Sequence, residues 1–396
     1  MAYNRKQRLN DNIKAIETAF ILDREQRTPT ARERLLLERY CGFGGLKCIL
    51  NPARELADAV HWAKSDLELF APTVELHRLI RENSKNESEY KQLMDSLKQS
   101  VLTAFYTPSA VTEALTDVLK EHQIIPEKVL EPSAGIGAFV DSVLDNNPKA
   151  DIMAFEKDLL TGKILRHLHP EQKVRIEGFE KIEKPFNDYF DLAISNIPFG
   201  DVAVFDPSYT AMKGMRALVT RRIHNYFFVK ALDTVRDGGL VAFITSQGVL
   251  NAKNNSAARF MMLYHADLVS AIRLPNNLFT ENANTEVGSD LIILQKNSQK
   301  ESLRGDDNLL DTVYNDENRI PTNNYFLEHP ERIIHTTAKL DTDPFGKPAM
   351  IYTHEDGVEG IAEDLRKMLH EDFKKNLNLN RYLGIEETKA EEVKEV

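Results

Sequence analysis

Short β-branched segments alternate with helical stretches from Lys128 onward, and this alternation constrains the fold more than any other feature of the chain. Such a pattern predicts an α/β domain with a mainly parallel sheet and crossover helices. The last two strands have no clear helix between them, so we expect them to pair antiparallel at one edge. The predicted strands are Lys128–Glu131, Asp151–Glu156, Val174–Glu177, Asp191–Ser195, Leu240–Thr245, Leu268–Leu274 and Asp290–Gln295, and the predicted helices between them include Ala138–Leu144, Leu159–His167, Arg222–Val235 and Ser256–Tyr264.

The chain before this region is predicted to be helical from Arg5 to about Lys98. Its apolar residues recur at spacings of three and four, and no strand-like alternation interrupts them. The glycine-rich segment Cys41–Gly45 breaks the first helical block. We interpret it as a turn between helices rather than as a loop against a cofactor. The clearest helical segments are Ala31–Tyr40, Pro72–Arg81 and Glu89–Leu97.

After about Lys296 the chain is polar, and we expect irregular structure there until a helix near Val358–Lys375. The final residues, Glu386 to Val396, form a mixed charged tail that is predicted to be disordered. The prediction is therefore an N-terminal helical domain over residues 1–100, an α/β domain over 101–300, and a C-terminal extension over 301–396.

Composition argues against several classes of protein. Only two cysteines occur, Cys41 and Cys48, so we expect neither a disulfide framework nor a zinc site. This low cysteine content fits a protein of a reducing compartment. No apolar run reaches the ~18–20 residues of a membrane span, and the polar start carries no secretory signal. The net charge of −11 argues against nucleic-acid binding by the whole surface but allows a local basic patch. We therefore expect a cytoplasmic protein with no metal and no membrane partner.

The first predicted strand ends in an acid and continues into a glycine turn within Val129–Phe139. Gly135 and Gly137 would let the backbone approach a ligand where a Cβ atom would clash. The binding crevice of an open α/β sheet lies at such strand ends. However, many nucleotide-binding folds share Gly-x-Gly, and the full dinucleotide pattern is incomplete here. An ordinary tight turn explains the same residues, and both interpretations stay open.

Glu156 ends the second predicted strand, about 20 residues after the glycine turn. A carboxylate at this position typically accepts both ribose hydroxyls of an adenosine ligand. The alternative is a solvated charge at a helix N-terminus, which is also favourable. Together with the glycine turn, Glu156 favours a cofactor that contains adenosine.

The fourth predicted strand is followed by the segment Asn-Ile-Pro-Phe, Asn196–Phe199. An aromatic amine such as adenine N6 is a poor nucleophile, because its lone pair is delocalised into the ring. The Asn196 side-chain oxygen and the Ile197 carbonyl are acceptors that can draw this nitrogen toward tetrahedral geometry. Phe199 would stack on the base. Without its neighbours, the segment is better explained by a turn that ends a strand.

In this order, the motifs resemble the amino-methyltransferases of the gamma group of DNA adenine methylases, which include modification subunits of type I restriction systems. The resemblance covers roughly Ser100 to Lys300. It implies a Rossmann-like S-adenosylmethionine-dependent methyltransferase sheet, DNA adenine-N6 methylation and a role in bacterial restriction-modification. By this resemblance the catalytic residues are Asn196, Ile197, Pro198 and Phe199, and the cofactor-binding residues are Phe105, Tyr106, Thr107, Pro108, Glu131, Pro132, Ser133, Ala134, Gly135, Gly137, Glu156, Phe179 and Glu180. Two further segments also fit the family pattern: Asp237–Gly239 before the fifth strand, and Leu274–Pro275 with Phe279 after the sixth strand.

A closer resemblance connects Tyr40–Leu46, Gly178–Glu180 and Asn196–Gly200 with methylase modules of large proteins from bacterial conjugative elements and phages. In those proteins a helicase region often follows the methylase. The resemblance therefore implies a helicase domain or subunit as a partner, in addition to DNA. Because this chain ends without a helicase region, we expect a fragment or a free-standing relative.

Two positions depart from the family pattern. Ile197 replaces the family's first proline, but the role at this position belongs to a backbone carbonyl, which isoleucine also has. Gly178 stands where some relatives carry an acid. If an acid is needed, Glu177 and Glu180 are the candidates, and we prefer Glu180.

A long insertion, residues 200–225, separates Phe199 from Tyr226 and holds no acid from Pro207 onward. Because it follows the catalytic strand end, we predict that it binds DNA phosphates. The alternative is a solvated loop with scattered charges. The chain after Lys296 is short for a target-recognition domain, so we expect weak recognition, or recognition by the N-terminal helices, the insertion or a partner. The basic residues in question are Lys213, Arg216, Arg221 and Arg222.

Two other functions stay open. A protein methyltransferase that acts on a glutamine amide would use a similar catalytic motif, although the basic insertion and the position of Phe105–Pro108 argue against it. A non-catalytic antirestriction module would keep the fold and bind DNA or a partner. Ile197 and the missing recognition domain favour this module, whereas Asn196, Pro198 and Phe199 count against it. Cytosine C5 methylation is not expected, because neither cysteine follows a proline.

Overall fold

The computed structural model describes residues 4–103, 106–212, 214–280, 286–303, 307–314, 319–343 and 346–385. Phe105, Lys213 and the tail 386–396 therefore lie outside the described residues, and the predictions made for them are not tested. No helix in the described part of the chain is both long and apolar enough to cross a membrane.

Seven strands form the central sheet: β1 Lys128–Glu131, β2 Asp151–Phe155, β3 Lys173–Arg175, β4 Phe190–Asn196, β5 Val235–Ser246, β6 Ala266–Leu274 and β7 Ser289–Lys296. Their spatial order is β3-β2-β1-β4-β5-β7-β6. The first five in this order pair in parallel, whereas β7 pairs antiparallel with both β5 and β6. The predicted α/β class is confirmed, as are the mainly parallel sheet and the antiparallel pairing of the last two strands.

The fifth strand begins earlier than predicted. The pair Gly238–Gly239, expected before the strand, lies inside β5. Phe190 pairs with Val235 and Leu192 pairs with Leu240, so the register shifts and β5 bulges at the glycines. Gly238 has a φ of +75°, a left-handed conformation that glycine adopts easily.

Helices cover both faces of the sheet. Successive residues of β4 point into two different cores: Leu192 and Ile194 pack on one side and Ala193 on the other. The α-helices are α1 Arg5–Glu25, α2 Ala31–Leu37, α3 Phe70–Glu82, α4 Glu87–Thr103, α5 Ser109–Glu121, α6 Ala138–Asn146, α7 Leu159–Leu168, α8 Pro207–Thr210, α9 Met215–Val219, α10 Ile223–Thr234, α11 Gly248–Asn251, α12 Ser256–His265, α13 Asn324–Glu328, α14 Gly357–Asn376 and α15 Leu379–Leu383. Helices α5, α6 and α14 contribute to the first core, and α10 and α12 to the second.

Short 3-10 helices connect many of these elements: Lys47–Leu50, Leu56–His61, Lys64–Leu69, Phe179–Lys181, Lys184–Phe186, Lys253–Asn255, Asn276–Phe279, Asp307–Leu309 and Pro330–Arg332.

The N-terminal helices α1 to α4 form a third core together with α7, which contributes Leu160, Ile164 and Leu168. The predicted helical character of this part is confirmed. Cys41–Gly45 is a turn between helical segments, as expected. It is held by Asn12, whose side-chain oxygen accepts from the Cys41 N–H (2.9 Å) and whose amide donates to the Gly42 carbonyl (2.6 Å). The division of the chain into three domains stays a prediction.

The prediction of irregular structure after Lys296 is wrong, because two antiparallel hairpins occur there. All six residues of β10 are exposed, and its apolar alternation is limited to Ala338 and Leu340, a signal too short to identify a strand. The predicted C-terminal helix is confirmed as α14, which packs on α5 and β6. The hairpin strands are β8 Thr312–Tyr314 with β9 Pro321–Asn323, and β10 Thr337–Thr342 with β11 Pro348–Thr353.

Candidate functional site

The glycine turn between β1 and α6 is shaped by two left-handed residues. Gly135 has a φ of +58° and Gly137, which precedes α6, has a φ of +96°. The Gly137 N–H donates to the Ala134 carbonyl at 2.8 Å, which closes the turn. A Cβ atom on Gly137 would lie 2.5 Å from Nε2 of His169. Side chains at these two positions would therefore strain the backbone, and at Gly137 would collide with a buried ring.

The segment Tyr106–Pro108, which is predicted to bind the cofactor, lies against this turn. A Cβ atom on Gly135 would be 2.8 Å from the ring of Tyr106. The Tyr106 hydroxyl approaches Thr161 Oγ1 at 3.5 Å, and the Tyr40 hydroxyl approaches the same oxygen at 3.2 Å. Thr107 is buried and Pro108 precedes α5. The structure thus brings together Tyr106–Pro108, the glycine turn and the N-terminal helices.

Glu156 follows β2 and binds the glycine turn directly. Its carboxylate accepts from the Gly135 N–H at 2.8 Å and from the Asp158 N–H at 2.7 Å. Burial and the neighbouring Asp158 charge raise the pKa of Glu156 to about 8, against the lowering effect of these backbone donors. The two donors leave lone pairs of the carboxylate available, so Glu156 can still accept hydroxyl groups from a ligand.

Glu131, the last residue of β1, is a buried acid with an unsatisfied oxygen. Its side chain is 2% exposed, and Oε2 has no hydrogen-bond partner among the described residues. Burial, then the charges of Glu156 and Asp141, raises the pKa of Glu131 well above its usual range. A buried carboxyl of this kind needs a donor or a positive charge. S-adenosylmethionine carries both, so these residues fit the predicted cofactor.

Phe179 does not present its ring to an open surface. It is 1% exposed and packs against Phe155 and Phe227, at centroid distances of 5.8 and 5.3 Å. The carboxylate of Glu180 instead folds over Gly178, where a Cβ atom would collide with it, and Lys157 lies 3.9 Å from that carboxylate. At the end of β3, Glu180 rather than the Phe179 ring therefore offers a polar group to a ligand.

Asn196 is the last residue of β4 and is half-buried. The next residue is firmly held, because the Ile197 N–H donates to the Ile244 carbonyl at 3.0 Å and extends the pairing with β5. The Ile197 side chain is 1% exposed and belongs to the second core. Phe199 meets Phe279 edge to face, with ring centroids 6.2 Å apart. Phe279, noted in the family pattern after the sixth strand, thus packs against the segment that is predicted to be catalytic.

The sheet brings these motifs to one edge. In the order β2-β1-β4 the strands are parallel neighbours, so their carboxyl ends meet. Glu131 ends β1 and Glu156 follows β2, while Asn196 ends β4. The Ser195 hydroxyl donates to the Ser133 carbonyl at 3.3 Å, which links the catalytic strand to the glycine turn.

The basic residues of the insertion have different surroundings. Arg216 donates to both oxygens of Asp233 at 2.6 and 2.9 Å, so its charge is already compensated. Arg222 pairs with Asp201 at 2.9 Å and donates to Asn254 and Asn255. Arg221, by contrast, is exposed. Arg221 and Arg222 line a cavity of about 540 Å³ together with Asp201, Leu218, Val219, Asn225, Asn254, Asn255, Ala257 and Ala258.

Sequence reasoning missed Asp158 and Thr161, and it named Tyr40 only within the Tyr40–Leu46 resemblance. Asp158 caps α7 by accepting from the Thr161 N–H at 2.7 Å, and it accepts from the Ser96 hydroxyl at 2.6 Å. An Asp before a helical stretch is a cap signal that could have identified it. The contact of Tyr40 with Thr161 spans 121 positions and has no local signal. In the described part of the chain, no group of three or more His, Cys, Asp or Glu side chains is arranged to hold a metal ion.

Comparison with known proteins gives a family and several relatives. The family model described as "N-6 DNA Methylase" matches residues 88–391. The chain is similar to the "Defense against restriction protein B" of Escherichia phage P1, with 29% identity over 201 residues, or 49% of this chain and 8% of that protein. It is also similar to the type II methyltransferase M.XamI of Xanthomonas campestris pv. amaranthicola, with 25% identity over 173 residues, or 40% of this chain and 33% of that one.

Among solved structures, a modification subunit of a putative type I restriction enzyme from Vibrio vulnificus is similar, with a TM-score of 0.43 and 16% identity. That match covers 73% of this chain and 67% of the other. The matched segments make up a third or less of the two curated relatives described above.

Proposed function

The chain belongs to the N-6 DNA Methylase family, and we propose that it transfers a methyl group from S-adenosylmethionine to the exocyclic amine of adenine in DNA. The observation that carries this proposal is the edge of the sheet where Glu131, Glu156 and Asn196 meet. One strand end offers two acceptors for an amine, and its neighbours offer buried acids beside a glycine turn. This combination suits an adenosine cofactor beside a flipped base.

We assign a separate role to each group of cofactor-binding residues on the basis of its chemistry. When bound, S-adenosylmethionine supplies an electrophilic methyl group on a sulfonium centre. We assign Glu156 to the ribose hydroxyls and Glu131 to the positive charge of the ligand. Gly135 and Gly137 let the backbone of the turn approach the cofactor closely. Pro132, Ser133 and Ala134 connect the strand to these glycines. Tyr106, Thr107 and Pro108 form a wall behind the turn, and Glu180 faces the adenine side.

The catalytic segment acts on the amine. The Asn196 side-chain oxygen and the Ile197 carbonyl accept the two amine hydrogens, which frees the nitrogen lone pair for attack on the methyl group. The β5 ladder fixes the Ile197 backbone, so its carbonyl costs little to orient. Pro198 stiffens the segment and Phe199 holds the base by stacking. Transfer would be direct: the nitrogen–carbon bond would form as the methyl–sulfur bond breaks, S-adenosylhomocysteine would leave, and the methylated nitrogen would release one proton to solvent. No covalent enzyme intermediate would form.

DNA contacts are assigned to the insertion, with Arg221 as the leading phosphate ligand because it is exposed beside the cavity. Arg222 and Arg216 have acidic partners, and they would reach phosphate only by exchanging those partners. We further propose that recognition is shared with the N-terminal helices or a helicase-type partner, and that the protein acts in the bacterial cytoplasm.

Transfer of a radiolabelled methyl group from S-adenosylmethionine to unmethylated DNA, followed by nucleoside analysis, tests the proposal. We expect label in N6-methyladenine. Label in protein glutamine would reject the DNA assignment.

The phage P1 relative is named for defence against restriction, and this favours a second candidate, a DNA-binding antirestriction module without turnover. Cofactor and DNA binding with no methyl transfer would support that candidate.

A further inference from the structure

Phe205 in the insertion is a large aromatic side chain that is mostly exposed to solvent. Its side chain is 77% exposed, and among the residues that the structure describes it is the only phenylalanine that is largely exposed. Val202, three residues earlier, is 62% exposed. Neighbouring apolar side chains that stay in water, unlike single ones, commonly mark a surface that meets a ligand or partner.

The backbone around Phe205 is nevertheless held on both sides. The Val204 N–H donates to the Thr220 carbonyl at 2.8 Å. On the other side, Asp206 is 3% exposed and accepts from the Tyr226 hydroxyl at 2.7 Å and from the Ser208 N–H at 2.8 Å. Lys230 lies 3.3 Å from the same carboxylate. Phe205 is therefore an aromatic side chain that projects from an anchored segment, and its presentation to a partner costs little entropy.

This projecting ring lies close to the catalytic segment along the chain. Phe205 lies six positions after Phe199, and six residue steps span at most about 20–22 Å even when fully extended. Between them, Asp201 pairs with Arg222 at 2.9 Å, which ties the segment to the cavity that Arg221 also lines. An exposed apolar ring on a segment that is tied to a cavity lined by an exposed cation suits a nucleic acid.

We propose that Phe205, supported by Val202, inserts into the DNA base stack at the position that the target adenine leaves. This inference rests on the proposed function. Extrusion of a base from the stack costs a few kcal/mol, and an apolar wedge that fills the gap offsets part of that cost. Arg221 then neutralises a neighbouring phosphate. The acid nearest to the ring along the chain, Asp206, is buried and hydrogen-bonded, so it does not repel the DNA backbone strongly.

The first arm of the test measures methyl transfer by the full chain carrying Phe205→Ala. On a duplex with a paired adenine we expect kcat/KM to fall at least about tenfold, because the variant lacks the wedge. On the same duplex with a mismatch opposite the adenine, the loss should largely disappear, because the base leaves the stack more easily. Ile125→Ala, which removes a 53% exposed apolar side chain just before β1, at the opposite end of that strand from Glu131, is the matched control and should match the parent on both duplexes.

The second arm measures binding and does not depend on turnover. Its probe is a duplex in which an abasic nucleotide replaces the target adenine, so that a gap already exists. We expect the parent chain to bind this duplex more tightly than the paired one, and Phe205→Ala to lose that preference. This result would support the wedge even if no N6-methyladenine forms, so failure of the proposed function and failure of the wedge are distinguishable.

Unchanged activity of Phe205→Ala on the paired duplex would overturn the wedge and assign the ring to a protein partner. An equal loss on the paired and mismatched duplexes would also overturn it, because that result indicates a structural role. If Phe205→Ala still bound the abasic duplex more tightly than the paired duplex, this binding result alone would contradict the wedge.

Discussion

The ring of Tyr106 lies against the backbone of Gly135, so closely that a Cβ atom at that glycine would be 2.8 Å from the ring. The same Gly135 donates its N–H to Glu156. One glycine therefore connects the first cofactor motif with the acid that follows β2. Its conformation and its lack of a side chain both matter for the shape of the proposed cofactor site.

Gly135→Ala should weaken S-adenosylmethionine binding by tenfold or more, on the order of 1.4 kcal/mol, because the new methyl group displaces the Tyr106 ring and shifts the turn. Isothermal titration calorimetry measures this change. The matched control is Gly357→Ala, since Gly357 has a φ of +60° and no atom within 4 Å of a built Cβ. The control has the same backbone strain without the clash, so equal affinities in the two variants would contradict the predicted effect.

Cofactor affinity should rise with pH up to about 8 because of Glu156. Burial raises the pKa of this carboxyl to about 8 without a ligand, and ribose hydroxyls favour its ionised form. Binding below pH 8 must then release a proton, so affinity increases as pH approaches that value. Calorimetry in buffers of different ionisation enthalpy counts the released protons. Glu156→Gln should bind more weakly and lose the part of this pH dependence that Glu156 contributes, while Glu131, whose pKa is also raised, keeps its own part. An unchanged dependence would remove Glu156 from the site.

Ile197→Pro should lower the melting temperature while methyl transfer persists well below it. Proline cannot donate to the Ile244 carbonyl and leaves a buried acceptor without its partner, which costs about 1–3 kcal/mol. The carbonyl that accepts the amine hydrogen is retained in the variant. Ile197→Ala keeps the N–H but removes a buried side chain, at a cost of about 2–5 kcal/mol. Thermal unfolding and the methylation assay together separate these effects, and loss of turnover in a folded Ile197→Pro chain would contradict the carbonyl role.

Arg221→Ala should affect DNA binding, whereas Arg216→Ala should affect the stability of the fold. Arg221 is exposed, so its removal should weaken DNA binding and leave the melting temperature unchanged. The slope of the logarithm of the binding constant against the logarithm of salt concentration should fall by about one unit. Arg216 pairs with Asp233, so its removal leaves that carboxylate without its bidentate partner and lowers the melting temperature. Fluorescence anisotropy at several salt concentrations, with thermal unfolding of each variant, tests the pair. A stability loss for Arg221→Ala would contradict the assignment.

Local patterns predicted the sheet and the edge that carries the site. Strands β1, β2 and β4 are apolar segments that end near Glu131, Glu156 and Asn196, and parallel pairing brings such ends together. These signals are contained in short stretches of the chain. They therefore needed no knowledge of distant contacts.

Contacts between distant residues could not be predicted in this way. Neither the meeting of Tyr40 with Thr161 nor the pairing of Arg216 with Asp233 leaves a periodic signal. Phe179 appeared beside a predicted strand end, but neighbouring aromatic rings bury it. The hairpin of β10 and β11 was not predicted, because the alternation in β10 is limited to two apolar residues, Ala338 and Leu340.

Asn196→Ala is the variant that bears most directly on adenine methylation. N6-methyladenine formed in DNA and S-adenosylmethionine affinity are measured for the parent chain, for Asn196→Ala and for Asn187→Ala, which changes an exposed asparagine outside the proposed site. We expect Asn196→Ala to lose product formation by at least about a hundredfold with cofactor affinity unchanged, while Asn187→Ala matches the parent. Product formation by Asn196→Ala at the parental rate would contradict the assignment of this residue to the amine.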